Sequence, residues 1–269
     1  MMRTMSGDGI RSVSVPSGWE GTLALGAGIV AYHGPGLTAD LHRHDAIQAI
    51  WSFGGDLRLA VGQDLWAMRA AIVPKGVPHA ILASSGEMVI ALVEPTGARG
   101  VMLDRFAQDH QGCDVSTLVD PGSPPPRDDA ASLIEWSTRA IGQFTPGTTT
   151  SIRSDMRSEV VGAMRYIDGL EEGVPRLSDA SRFVGLSTRQ LSRSFSSEVG
   201  MPFQRYVLWS RLRRAARVVQ RGGDLTMAAH NAGFSDSAHF SRVFRSTFGL
   251  PPSSVLPVLE IIDLEGSGR

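Results

Sequence analysis

At 269 residues and 42% hydrophobic content, this chain is long enough for about two domains, each with its own core. Its single cysteine, Cys113, excludes an intrachain disulfide and a cysteine-rich zinc site, and suits a reducing compartment. The formal charge of −1 is uneven: residues 1–152 carry 10 basic and 15 acidic side chains, and residues 153–269 carry 16 and 12, every one of the 16 an arginine. No apolar run approaches the roughly 18–20 residues that span a bilayer, and Met1–Gly9 has no apolar signal core. These features predict a cytoplasmic protein with no membrane partner.

From residue 20 to 95 the pattern predicts short strands over 22–32, 46–53, 57–61, 70–73, 80–82 and 88–93. Turn chemistry separates them, as at Gly34-Pro35-Gly36 and Gly54-Gly55-Asp56. Many short strands with such turns predict a small barrel or jelly roll. Trp51, Phe53 and Trp66 are candidate pocket walls, whereas His33 and His110 have no motif spacing and are expected on the surface or in loops.

Two motifs fall among these strands: Gly36-x5-His42-x-His44-x3-Gln48-x6-Gly55 and Pro74-Lys75-Gly76-Val77-Pro78-His79. They resemble the first and second cupin motifs, with Gln48 where the family has Glu, Met68 where it has Gly and Ala83 where it has Asn. The resemblance implies that His42, His44, Gln48 and His79 converge in a barrel. Two readings stay open. Three imidazoles and an amide oxygen suit Zn, Fe, Ni or Cu; the same residues also suit the wall of a metal-free pocket for a small-molecule effector.

Pro121 to Pro126 breaks regular structure, and 128–144 reads as an amphipathic helix that either packs on the barrel or forms a dimer seam. Thr145–Ser151 reads as a linker. From residue 154 the pattern is helical almost to Pro257, with one long helix over 202–221.

Within that helical half a unit occurs twice. Leu177, Ala180, Ser181, Val184, Gly185 and Ser187 match Leu225, Ala228, Ala229, Ala232, Gly233 and Ser235 at an offset of 48 residues. Leu191, Phe195 and Gly200 then match Phe240, Phe244 and Gly249 at 49. Small residues three and four apart let a second helix cross closely, and the glycine supplies a turn with positive φ. Ser187 and Ser235 are expected to cap the second helix of each unit. The outward faces hold Thr188, Arg189, Gln190, Ser192 and Arg193 in the first unit, and Asp236, Ser237, His239 and Arg242 in the second. These types reach base edges and phosphates.

The paired pattern resembles the DNA-binding domain of AraC/XylS-type transcription regulators over residues 155–256, most closely along Ala232–Gly249. Arg176 at the first cap and Pro251-Pro252 after the second unit depart from the family. The resemblance implies sequence reading by Arg189, Gln190 and Arg193, with Ser237, His239 and Arg242 in support. Asp236, being anionic, is expected to orient its helix or to accept from a cytosine amine.

The expected fold class is α+β in two domains: a cupin-like sensor over 1–103, a linker with a helix over 104–153, and an all-α tandem helix-turn-helix domain over 154–269. The expected function is a non-enzymatic, sequence-specific transcription regulator controlled by an effector. Double-stranded DNA is its partner, RNA polymerase a candidate partner, and the resemblance implies a homodimer and activation more often than repression. The alternatives are a metal-dependent cupin enzyme or a metal sensor fused to the same DNA-binding domain.

Overall fold

The computed structural model describes residues 21–26, 28–96, 98–110, 114–118, 120–145, 156–199, 201–256 and 260–263. Cys113 and most of the expected linker lie outside them. The chain has an N-terminal, largely antiparallel sheet domain and a C-terminal helical domain.

One sheet has six strands: β1 (Thr22–Gly26), β2 (Ile29–Pro35), β4 (Ile47–Phe53), β7 (Ala70–Val73), β9 (Glu87–Val93) and β10 (Glu260–Asp263), in the order β10-β1-β2-β9-β4-β7. The other has four: β3 (Ala39–His42), β5 (Leu57–Val61), β6 (Asp64–Met68) and β8 (His79–Ser84), in the order β3-β8-β5-β6. The single strand expected over 22–32 is a hairpin, because Gly28 takes a φ of 70° between its halves. Strand β6 is missing from the sequence reading because four of its five residues are exposed, so it shows no apolar alternation.

Both faces of the six-stranded sheet are covered, which is why its strands read as continuous apolar runs. Along β4, Ile47, Ala49 and Trp51 face one apolar cluster while Ile50 faces the other. The outer cluster is closed by α1 (Ala98–Asp109), through Leu103 and Ala107, and by α2 (Ala130–Gly142), through Leu133, Trp136, Ala140 and Ile141. Asp129 caps α2 by accepting from Ser132 N–H at 3.0 Å. The apolar stripe of the expected helix is thus spent on the chain's own sheet. Helix α1 runs across residue 103, where the sequence reading placed a domain edge.

Two aromatic expectations are corrected here. Trp51 and Phe53 lie on the outer face, edge-on to Trp136 with ring centroids at 5.1 and 5.8 Å, and Trp66 is exposed on the sheet edge. His33 is also misplaced by the sequence reading. It is buried on β2, 3.5 Å from the Glu87 carboxylate, and burial lowers its pKa. His110 sits just beyond α1 and stacks on Phe106 at 4.0 Å.

The helical domain comprises α3 (Ser158–Gly169), α4 (Leu177–Phe183), α5 (Thr188–Val199), α6 (Phe203–Gln220), α7 (Leu225–Asn231), α8 (Ser237–Phe248) and α9 (Pro252–Val255). Gly185 and Gly233 take φ of 73° and 74° in the turns of the two units, as their repeat positions predict. Asp224 caps α7, whereas Arg176 before α4 makes no side-chain cap bond.

The two domains share one apolar cluster. Leu23, Val30, Leu59 and Ile81 of the sheets belong to the same cluster as Trp209, Leu212 and Phe244 of the helices. Strand β10 crosses back from the helical end and pairs in parallel with β1, Thr22 opposite Glu260. No helix among the described residues is long and apolar enough to cross a membrane.

Candidate nucleic-acid interface and sensor cavity

Helix α5 exposes Thr188, Arg189, Gln190 and Arg193, with Ser192 half-buried, while Leu191 and Phe195 are fully buried beneath them. Polar spacing over an apolar anchor is what a helix needs in order to stand in a groove. Ser187 caps α5: its hydroxyl accepts from Gln190 N–H at 3.3 Å, and the Gln190 side-chain oxygen accepts from Ser187 N–H at 3.1 Å. This reciprocal box engages Gln190 at the helix start and leaves Arg189 and Arg193 as the outward cations.

In the second unit Asp236 supplies the cap, accepting from His239 N–H at 2.6 Å. Ser235 does not cap α8, contrary to the sequence expectation; its hydroxyl donates to the Asp236 carboxylate at 2.9 Å. Hydrogen bonds from His239 and Ser235 hold the Asp236 carboxyl below the usual carboxylate range. Arg242 is exposed, and Ser237 and His239 are half-buried, the latter against Phe234.

Helix α6 joins the two units, and much of its positive charge is structural. Arg211 donates to the carbonyls of Ala232 and Gly233 at 2.9 and 2.8 Å and lies over the Phe234 ring. Arg214 donates to the carbonyls of Gly173 and Asn231 at 3.1 and 3.3 Å. Arg213 is buried and donates to Asp168 at 2.7 Å, a carboxylate that also accepts from Tyr206 and Ser210. Five arginines lie on α6. In the fold, three of them brace the turn of the second unit or tie α6 to α3.

A fourth, Arg205, crosses to the sheet domain. Glu94, just past β9, accepts from Arg205 at 2.7 and 3.1 Å and from the Trp209 indole N–H at 2.7 Å. Burial by itself raises the Glu94 carboxyl; the bonds from Arg205, Trp209 and Thr96 outweigh it and hold the group below its ordinary value. No sequence motif marks Glu94; only its packing against α6 reveals it.

Beside this clasp lies a cavity of about 70 Å³ between the domains. Leu23, Tyr32 and Ile90 line it from the sheets and Leu212, Phe244 and Leu256 from the helices, with His42 and Gln48 among its few polar groups. The aromatic walls expected from the sequence, Trp51, Phe53 and Trp66, take no part in it.

His42, His44 and His79 come together, as the resemblance to the cupin motifs implies, with one ring nitrogen of each lying within 4.8 Å of the others. The Nδ1 atoms sit 2.6, 2.8 and 2.9 Å from the carbonyl oxygens of Asp40, Ala46 and Val77. A carbonyl only accepts, so each Nδ1 carries the proton. Burial lowers the pKa of all three rings and, with His42 alongside, pushes His79 down to about 3. Neutral rings protonated at Nδ1 leave Nε2 of each ring bare as a ligand atom, the state a divalent transition metal requires and a backbone carbonyl at Nδ1 fixes. Gln48 on β4 reaches the same point, its amide oxygen placed 2.7 Å from His44 Nε2 and 3.0 Å from His79 Nε2.

The end of α8 closes over this cluster. Asp45 N–H donates to the Ser246 carbonyl at 2.8 Å. Gly249, with φ of 81°, lies so near that a Cβ there would stand 2.2 Å from the His42 ring.

Comparison with known proteins agrees with the helical half. A family model described as a helix-turn-helix domain matches residues 180–256. The transcriptional activator RhrA of Rhizobium meliloti is 35% identical over 95 residues, which is 34% of this chain and 30% of that protein. The HTH-type transcriptional activator RhaS of Pectobacterium carotovorum is 44% identical over 77 residues, 28% of this chain and 27% of that protein. The chain therefore spans under a third of the length of these relatives. The solved structure of ToxT from Vibrio cholerae O395 overlays 86% of this chain and 97% of its own at 13% identity and a TM-score of 0.45, a likeness too slight to argue from. The matched helix-turn-helix domain takes in both glycine turns of the repeated unit and both of its exposed second helices, and the chain is similar over this limited length to the two named transcriptional activators.

Proposed function

We propose that this protein is a transcription regulator, an activator like its named relatives, that binds double-stranded DNA through α5 and α8 and answers to a small molecule bound in its N-terminal domain. The two-sheet domain is read as a cupin-like jelly roll, the protein as a cytoplasmic homodimer, and RNA polymerase as its partner at the promoter. Catalysis has no part in this reading. The observation that carries it is the shared cavity: a ligand there touches the strands and, through Leu212 and Phe244, the joining helix α6 and the reading helix α8 itself. Such a ligand can bind two domain arrangements with different affinity, which is the requirement for control.

The test is fluorescence anisotropy on a DNA site selected from random sequence. Arg189→Ala is expected to cost about 1–3 kcal/mol on that site and less on random DNA. Equal losses on both would make Arg189 a phosphate contact, and no selected site at all would defeat the reading.

A second reading, a metal sensor, is favoured by the three converging imidazoles, which suit Zn, Fe, Ni or Cu. Elemental mass spectrometry of tag-free protein is expected, on this reading, to find about one equivalent of metal. The His42→Ala/His79→Ala variant should lose it. Protein without metal after reconstitution would retire the sensor.

A further inference from the structure

The imidazole cluster poses a hydrogen-bonding problem that the chain's own atoms can solve. His44 and His79 each give their single ring proton to a backbone carbonyl and turn a bare Nε2 toward Gln48. The Gln48 amide oxygen as placed, at 2.7 and 3.0 Å, faces two lone pairs with no proton between. Protonating the rings would supply the protons, but would set cations among buried imidazoles. Moving the ring protons to Nε2 would leave Nδ1 lone pairs facing the Ala46 and Val77 carbonyls. An amide nitrogen carries two N–H donors, and amide oxygen and nitrogen are nearly equal in shape, so the partners decide which of them points where.

We propose that Gln48 turns its amide nitrogen toward His44 and His79, donates one N–H to each bare Nε2, and so occupies the three-histidine site from within in place of a cation. His42, the third ring, is covered instead by Gly249. The two buried rings, His44 and His79, are then satisfied without an ion. A divalent cation enters only by turning the amide about its last bond, breaking both hydrogen bonds to present the oxygen. A glutamate at this position cannot play the part: its ionised carboxylate has no donor for either ring and adds a negative charge that favours a cation. The substitution of Gln for Glu in the motif thus exchanges a metal ligand for an internal plug. This inference is independent of the DNA-binding reading, and it opposes the metal-sensor reading in one respect, a resident ion in the wild-type protein.

Two measurements on the full chain test it. In ¹⁵N-labelled wild-type protein, the rings of His44 and His79 are expected to show protonated Nδ1 and bare Nε2, with scalar couplings from both Nε2 atoms to the Gln48 side-chain nitrogen. Protonated Nε2 on the two rings would overturn the proposal, since the oxygen would then face them. By titration calorimetry with Zn²⁺, Gln48→Glu is expected to bind at least about tenfold more tightly than wild type, because ligand charge sets divalent affinity. Apo Gln48→Glu should also melt below wild type and recover when Zn²⁺ is added. Equal affinity of the two proteins, or one equivalent of metal in wild type as isolated, would overturn the proposal. If Gln48→Glu does not fold, the ring tautomers and couplings of wild type decide alone.

Discussion

Glu94→Ala is expected to destabilise the contact between the two domains by about 3–5 kcal/mol, the cost of breaking a buried ion pair from one side. The carboxylate is buried and its partner Arg205 is 26% exposed. Water can therefore reach the orphaned guanidinium, and the ion-pair loss alone falls at the low end. The Trp209 indole N–H, fully buried, also loses its acceptor, which adds about 1–3 kcal/mol and restores the estimate. Calorimetry is the proper measurement, because two coupled domains need not melt together. The expected trace shows the single wild-type transition dividing in two. Glu94→Gln, which keeps the shape and loses the charge, should fall between. The sign with pH follows from the depressed pKa. Glu94 contributes its stability above the ordinary carboxyl value of 4.5 and loses it as pH falls through the lower folded value. Wild type should thus lose this contact on acidification, and Glu94→Ala should be insensitive in that range. An undivided transition in the variant would show that β10 and the apolar cluster hold the domains without the clasp.

Gly249→Ala is expected to cost about 2–4 kcal/mol, by two separable routes. The backbone at this residue has φ of 81°, a left-handed conformation that costs an alanine about 1 kcal/mol. The rest is steric: the added Cβ would lie 2.2 Å from His42 Cδ2 and 3.0 Å from His44 Cδ2. His42 is tied to the Asp40 carbonyl, so relief requires the end of α8 to lift from the histidine loop. Gly185→Ala isolates the backbone part, since its φ is 73° and nothing lies within 4 Å of the added atom. Hydrogen exchange reads the lifting directly, because the Asp45 N–H that donates to Ser246 should lose protection in Gly249→Ala and keep it in Gly185→Ala. Equal destabilisation by both would leave only the backbone cost and would deny a tight seat for α8 on the sheet domain.

These two residues matter because each occupies a junction. Glu94 joins the end of β9 to α6, and Gly249 joins the end of α8 to the histidine cluster. The histidine cluster and the cavity thus lie against α6 and α8, the helix before the second unit and the second helix within it.

The repeated unit was legible in the chain alone because its determinants are local. Gly185 and Gly233 are demanded by the backbone of a tight turn, Leu191, Phe195, Phe240 and Phe244 by the buried face of a helix, and the outward polar residues by what remains. The convergence of His42, His44 and His79 was legible only through the resemblance to the cupin motifs, since it depends on the pairing of β3 with β8 that sets His42 opposite His79. Strand β6 and the return of β10 to β1 were not, because exposed edges and distant pairings leave no periodic trace.

Charge misled most. Arg205, Arg211, Arg213 and Arg214 look alike in a sequence, and only packing shows each spending its donors inside the protein on a carboxylate or a helix-end carbonyl. Residue type and spacing determined that this chain has a repeated helix-turn-helix unit with two polar outward helices. The tertiary structure decided that the cluster lies beneath α8, that the cavity belongs to both domains, and that Gln48 faces two bare nitrogens. The physical reason is range: caps, turns and helix faces are settled within a few residues, whereas a cavity wall or a buried ion pair is built from segments over a hundred residues apart.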